Sequence, residues 1–298
     1  MITRTTTNMM MQNAQRNLQT NMAALAKLQE QASSQKAITR PSDDPTATAD
    51  SLRIRAEQRA TEQHGRNIGD GTGWLTTIDS ALATTTSLMN RVRDLTVRGA
   101  NDGSMSPTAK EAIAVELDGL REELLNQANT TYQGRTVFAG NSDAGVAFAS
   151  SPLYIHSGTG VAEDIVERRI TEGTKVRVDA DGPATFGEGI DSVFALVDRI
   201  ASDLRSGNNV GAHLNTLDTH MTNIREQQAI VGTRHAQIQR AEETHMERTV
   251  SLEGQRAGVE DVDIAEVILD LQLQEVSYQT ALAVTARVLQ PTLMDFLR

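Results

Sequence analysis

Apolar residues recur at alternating three- and four-residue steps over most of the chain, the period of helices that pack along one stripe. From about residue 5 to 36 the stripe is Met11, Ala14, Leu18, Leu25, Leu28 and Ala32. A second stretch follows Pro45 and carries Leu75, Ile78, Leu82, Met89 and Val92. A third opens at Ser106-Pro107, an N-cap residue followed by proline at the first helical position, and runs through Ile113, Leu117, Leu120 and Leu124. Later, Ile190, Phe194, Val197, Ile200 and Leu204 mark a short helix. Beyond Gly207-Asn208-Asn209 the period tightens to 3.5 residues from Val210 to Leu252. This seam holds Leu214, Leu217, Met221, Ile224, Val231 and Ile238, with Gln228, His235, Glu242, His245 and Thr249 between them, and reads as coiled-coil-like. A last helix over about 262–297 carries Ile264, Ile268, Leu271, Tyr278, Leu282, Leu289 and Phe296.

Between these helices the pattern changes. The region 131–195 contains six of the nine aromatic residues and nine of the 21 glycines, so the middle of the chain departs from the helical composition around it. Short β-branched runs, Thr136-Val137-Phe138, Asp164-Ile165-Val166 and Lys175-Val176-Arg177-Val178, are punctuated by Gly158, Gly160, Gly173, Gly182 and Pro183. They predict short strands and turns. The expected fold class is therefore mainly α: an elongated rod of long antiparallel helices and a coiled-coil-like bundle with a small β-rich insert. Three domains are expected: 1–40 with 260–298, 41–135 with 190–259, and the insert over 136–189, whose strands are expected to form their own unit.

Composition supports this picture and removes several chemistries. Aromatics make up only 3% of the chain, too few for one large globular core. The net charge of -11 argues against a dedicated nucleic-acid binder. The absence of cysteine excludes disulfides, thiol nucleophiles and Cys-based zinc sites. No run approaches the roughly 18 apolar residues of a membrane span, and the first 17 residues lack the apolar region of a secretory signal peptide. Export, if it occurs, is expected to use an uncleaved signal. The glycines of Ile68-Gly69-Asp70-Gly71-Thr72-Gly73 do not follow a strand and no GxxxxGK accompanies them. Glu242-Glu243-Thr244-His245 lacks the first histidine of a zinc-protease helix, and His235 and His245 read as packing residues. Asp179-Ala180-Asp181-Gly182 has its glycine in the wrong place for a calcium loop and reads as a turn. No catalytic residue, cofactor or metal is expected.

The two ends carry more information. Asn8, Asn13, Asn17 and Asn21 dilute the first stripe, so that helix is marginal alone. In the last helix Val267, Ile268, Leu271, Leu273, Val276, Tyr278, Leu282, Val284, Val288, Leu289 and Leu293 nearly circle the axis, and one partner helix cannot cover them all. Copies or relatives of the chain are expected to cover the rest. Residues 1–40 carry Arg4, Arg16, Lys27, Lys36 and Arg40 against Glu30, whereas 260–298 carry seven acidic residues against two arginines. The basic cluster ends the first helix and the acidic one begins the last, so opposite charges meet if these helices run antiparallel.

At this point three segments, in order, carry a resemblance. Asn8–Gln31, followed by Ile38-Thr39-Arg40-Pro41-Ser42-Asp43-Asp44-Pro45 and Ala49-Asp50-Ser51-Leu52-Arg53-Ile54-Arg55, resembles the N-terminal region of the bacterial flagellin family. The Ser42, Asp43, Asp44, Pro45 form is similar to its hook-associated protein 3 branch. Asn129-Thr130-Thr131-Tyr132-Gln133-Gly134-Arg135-Thr136-Val137-Phe138-Ala139-Gly140 resembles the junction where that branch leaves its helical domain, with Gly134, Phe138 and Gly140 as the matching positions. Tyr278–Arg298 resembles the family's closing helix. Thr136, where the branch often has an aromatic or aliphatic residue, and Pro291, inside the last helix, depart from the pattern.

The resemblance implies a structural role, not an enzyme: an adaptor layer between flagellar hook and filament that self-assembles through its terminal helices. It implies export unfolded through the flagellar type III apparatus and a location outside the cell. Implied partners are a neighbouring hook-associated protein layer on the hook side, flagellin on the filament side and an export chaperone on the C-terminal helix, with no nucleic acid and no membrane. The expected assembly interface is Met11, Leu18, Leu25, Leu28, Ile268, Leu271, Leu282, Leu289 and Leu293. Two other readings stay open, a short flagellin forming the filament itself and a cytosolic helical scaffold or signalling coiled coil.

Overall fold

A computed structural model describes residues 2–101, 105–150, 153–158 and 165–289. Among these residues seven α-helices are formed: α1 (Ile2–Ser34), α2 (Pro45–Ala100), α3 (Pro107–Ala128), α4 (Gly182–Phe186), α5 (Val193–Ser206), α6 (Leu214–Glu260) and α7 (Ile264–Leu289). Two antiparallel pairs supply the strands, β1 (Thr131–Tyr132) with β2 (Arg135–Thr136) and β3 (Glu167–Arg169) with β4 (Lys175–Arg177). Two compact units result, Thr61–Glu247 and Met1–Ala60 with Arg248–Arg298.

In the unit Thr61–Glu247, Ser106 caps α3 by accepting from the Ala109 N–H, with Pro107 at the first helical position as its sequence predicts. Ile78, Leu82, Met89 and Val92 of α2 are fully buried in one core with Leu117 and Leu124 of α3, Val197 and Ile200 of α5, and Leu217 and Ile238 of α6. That core runs into the β-rich region. Phe138, Phe148, Phe186 and Phe194 form an aromatic cluster with centroid separations of 5.1–5.7 Å, each pair adding to the area it buries. Tyr154, at φ +49°, packs on Phe194 and donates its hydroxyl to Asp198, which also pairs with Arg121. Burial, reinforced by Asp198, pushes the Tyr154 hydroxyl up to about 12, so it stays a donor.

Several local expectations need correction. Of Thr136-Val137-Phe138 only Thr136 is in a strand, and Val137 instead bonds Thr130 and Ala180 through its backbone. Strand β3 begins at Glu167, after Ile165-Val166, while Asp164 and Gly160 lie outside the described residues. Gly182-Pro183 opens α4 because the Asp181 carboxylate accepts from the Ala184 N–H. The 3.5-residue seam of α6 holds to Ile238 and again at the half-buried His245 and fully buried Leu252, departing from expectation at Glu242 and Thr249. Ala241 is buried where Glu242 was expected, and Thr249 is exposed. A helix of 3.6 residues per turn drifts off a strict 3.5 repeat, and an exposed carboxylate costs less than a buried one.

In the other unit, α1 and α7 lie antiparallel: the Gln274 side chain donates to the Asn21 carbonyl, and Lys36 is bridged to Asp261 between the facing connections. The Ala37 N–H donates to the Glu260 carbonyl and the Val262 N–H to that of Gln35. Among the described residues the expected ion pairing between the two charged clusters does not form. Arg40 pairs with Glu30 of its own cluster, and Glu260 is taken by Arg55 of α2 and Arg256 of α6. Glu260 is 3% exposed. Its carboxylate accepts from Arg55 Nε at 2.6 Å and a second Arg55 nitrogen at 2.7 Å, and from Ser51 Oγ at 2.5 Å. The bonds from Arg55, with Ser51 and Arg256 adding, hold the carboxyl down at about 2 against the upward push of burial.

Two acid-dependent losses of stability follow, in separate pH windows. His220 is buried and its Nδ1 has no partner, and burial, with Arg199 adding and Asp191 opposing, lowers its pKa. The folded state thus holds the neutral ring while the unfolded chain protonates near pH 6.5. This stability is present above that pH and falls by up to about 1.4 kcal/mol per unit below it. His220→Leu should flatten the slope between pH 6.5 and 5 in denaturant titrations. For Glu260 the contribution is complete above about pH 4.5 and is lost as pH falls toward 2. Glu260→Gln should cost about 2 kcal/mol at pH 7 and abolish that lower step, read as faster amide exchange at Ala37 and Val262.

Candidate assembly surface

The two helices touch along one seam because their half-buried positions repeat at 3.5 residues. On α1 these are Ala14, Leu18, Asn21, Leu25, Leu28 and Ala32, and on α7 Leu271, Gln274, Tyr278, Ala281 and Thr285 follow the buried Val267. Half of these seam positions, Ala14, Asn21, Ala32, Gln274, Ala281 and Thr285, are small or polar, so the pair buries less large apolar area than a leucine-filled seam would. The bulk of α7 points elsewhere: Leu269, Leu273, Val276 and Val284 are 56–66% exposed, and Ile264, Ile268 and Leu282 43–44%. On α1, Met9 and Met22 are likewise exposed.

The expected interface residues therefore fall into three groups. Leu18, Leu25, Leu28 and Leu271 lie half-buried on the seam within the chain. Met11, Ile268 and Leu282 are exposed beside it. Leu289 is the last described residue of α7, and Leu293, with Pro291, lies outside the described residues. Leu271 and Leu282 are eleven residues apart, three turns plus about 20° of drift, enough to carry the row from the seam to its flank. On the opposite flank of the seam, Ala14, Asn17, Ser277, Thr280 and Ala281 line a shallow groove between the helices.

The motif residues act locally. Asp44 Oδ1 accepts from the Thr46 and Ala47 N–H groups, capping α2 with Pro45 in its first turn. The Asp43 carboxylate accepts from Thr39 Oγ1 and the Arg40 N–H, and the Thr39 bond leads in lowering its pKa. Ser42 is exposed in the turn between them. Gln133 and Gly134, at φ +50° and +80°, make the two-residue turn joining β1 to β2, a backbone that glycine adopts without strain. Gly140 also has positive φ, at +59°, and Phe138 is fully buried against Phe186. Asn129, which ends α3, accepts from the Ala147 and Phe148 N–H groups and donates to the Phe148 carbonyl. The Ser51–Arg55–Glu260 cluster was not anticipated, although Ser51 and Arg55, four apart on α2, share the face that Glu260 meets.

Among the described residues no group of three or more His, Asp or Glu side chains is placed to hold a metal ion. His245 hydrogen-bonds the Thr61 carbonyl, and Asp179 pairs with Arg177 and accepts from the Val166 N–H. No described helix is long and apolar enough to cross a membrane.

Comparison with known proteins agrees with this geometry. Residues 5–143 match the family model for the bacterial flagellin N-terminal helical region, and residues 214–297 that for its C-terminal helical region. The flagellar hook-associated protein 3 of Salmonella typhimurium is 24% identical over 93% of this chain and 94% of its own. In fold, the chain is similar to a flagellar hook-associated protein from Vibrio parahaemolyticus (TM-score 0.67, 22% identity, 74% of this chain and 100% of that one). The flagellar junction protein of Legionella pneumophila gives a TM-score of 0.56 at 15% identity, covering 71% of this chain and all of that one. With both helical regions in order at its two ends, this chain belongs to the bacterial flagellin family.

Proposed function

We propose that the chain is a structural subunit of the bacterial flagellum that assembles through α1 and α7 into the junction layer between hook and filament. The observation that carries this reading is the uncovered apolar surface of α7 on a helix pair half of whose own seam is small or polar. Exposed side chains such as Leu273 and Val276 each lose free energy to water that a neighbouring subunit recovers by covering them, about 25 cal/mol per Å². The junction assignment is supported by the relatives named hook-associated protein 3 and flagellar junction protein.

The finer parts of the proposal extend the same logic. The terminal pair, marginal without neighbours, suits a chain exported unfolded through the flagellar type III apparatus and completed only outside the cell. A chaperone that covers α7 before export would protect the side chains that later meet other subunits. A hook-associated layer on one side and flagellin on the other are the proposed neighbours. The role is mechanical, with no catalysis and no cofactor.

Two measurements test the reading. Gold-labelled antibody against the chain should mark one band at the hook–filament boundary; label along the whole filament would identify a flagellin instead. Leu282→Asp places a carboxylate on a side chain that is 43% exposed in the single chain. Its effect on the melt of the purified protein should stay within about 1 kcal/mol. Buried at a subunit contact, the same carboxylate should cost about 3 kcal/mol or more, cutting incorporation about 100-fold or more. Normal filaments on cells carrying only this variant would remove α7 from the assembly surface.

A further inference from the structure

Five of the ten methionines lie within the first 22 residues, and the chain has no cysteine. Without thiols, the polarizable thioether sulfurs are the groups a hydroperoxide oxidises first, and exposure decides which of them react. Met89 is fully buried and Met221 is 5% exposed, whereas Met11 and Met22 on α1 are 41% and 59% exposed. Met11 and Met22 are eleven residues apart, three turns plus about 20°, so they share one side of α1. That side is the flank of the seam away from Asn17 and the shallow groove. Ile268 and Leu282, each directly following a seam residue of α7, turn to the same flank and are exposed there. The Gln274–Asn21 bond sets the register of the antiparallel pair. At about 1.5 Å per residue, Met11 is about 3 Å from the level of Leu282, and Met22 is about 8 Å from that of Ile268. One row results, Met11, Leu282, Met22 and Ile268, with Gln15 and Glu275 exposed between them.

Resting on the junction reading above, we infer that Met11 and Met22 form an oxidation site that controls whether the chain can enter the flagellum. The co-reactant is a hydroperoxide. The sulfur lone pair attacks the hydroxyl oxygen of the peroxide, the S–O bond forms as the O–O bond breaks, and the hydroxyl proton passes to the leaving oxygen. Sulfur is oxidised by two electrons to the sulfoxide, and the peroxide is reduced to water or an alcohol. The side chain changes little in size but gains a strongly polar S–O group. On a row whose other large members are Leu282 and Ile268, covering that oxygen takes it out of water, a cost the thioether does not carry. Oxidation before assembly therefore excludes the chain. Once the flank is covered, the two sulfurs are shut off from peroxide, so the site is sensitive only in the free subunit.

Hydrogen peroxide treatment of the purified full-length chain gives the first test, with mass spectrometry following one added oxygen at each site. Met11 and Met22 should oxidise at least about tenfold faster than Met89 and Met221. In isolated flagella the same two sulfurs should react at least about tenfold more slowly than in the purified chain. Equal rates at all four methionines would overturn the inference, as would Met11 and Met22 reacting equally fast in the two preparations. Absence of the chain from flagella would end the junction reading together with it.

Variants expressed in cells lacking the native gene separate added polarity from loss of methionine. Met11→Gln/Met22→Gln places a polar group near the size of the sulfoxide at both sites, and Met11→Leu/Met22→Leu keeps them apolar; both replacements are good helix formers. The glutamine pair should enter flagella at least about tenfold less than the leucine pair. Met246→Gln, at a methionine 56% exposed on α6, should enter as the native chain does. Equal incorporation of the glutamine and leucine pairs, with the chain found in flagella, would overturn the inference and leave the junction reading intact. A loss with Met246→Gln as large as with the glutamine pair would overturn it too, because polarity anywhere on the surface would then have the same effect.

Discussion

Two helices can cover only one stripe of each other, and a helix that is apolar on several sides needs more neighbours than one chain supplies. In α1 and α7 this constraint is sharpened by the seam, where Ala14, Asn21, Gln274, Ala281 and Thr285 occupy positions that a self-sufficient coiled coil fills with leucine or isoleucine. Leu18, Leu25, Leu28 and Leu271 share that seam, while Leu269, Leu273, Val276 and Val284 are on the outside. The chain is built so that its terminal pair is incomplete alone. The unit Thr61–Glu247 shows the opposite economy, with nearly every large apolar residue of α5 buried and the phenylalanines gathered into one cluster.

The connection residues explain how so weak a pair keeps its register. Backbone bonds from Ala37 to Glu260 and from Val262 to Gln35 tie the two connections to each other, and Glu260 ties both to α2 and α6 through Ser51, Arg55 and Arg256. A buried carboxylate with this many donors is costly to disturb, since loss of any one leaves charge without compensation. Register is therefore fixed at the foot of the pair by polar groups, and the apolar surface of α7 beyond it stays exposed.

Much of the fold was legible because helical periodicity survives in sequence. Ser106-Pro107, Pro45 and Gly207 mark helix ends at or within a residue of where they occur, each for a local backbone reason. The strands were less legible: two- and three-residue strands carry almost no alternation, and Val137 bonds along two different segments rather than in a ladder. The candidate surface was legible in outline, since an apolar girdle on α7 is visible from composition alone. Which girdle residues face α1 was not, because Leu271 and Leu282 differ by only about 20° and the seam is set by a Gln–Asn bond that periodicity does not reveal. Glu260 was counted among a charged cluster, and nothing in that cluster distinguishes the residue that turns inward.

The pairing of α1 with α7 also has a kinetic side. Asn21 and Gln274 are 253 residues apart in sequence, whereas helices of the other unit meet over separations of 25 to 184 residues. Loop closure over such a span is slow relative to local helix formation, and α7 is the last of the described helices in chain order. A chain still threading out of a ribosome or a narrow channel has no partner for α1 until nearly all of it has emerged. Order of synthesis thereby acts as a timer, keeping the adhesive end of the molecule unformed until the remainder has folded.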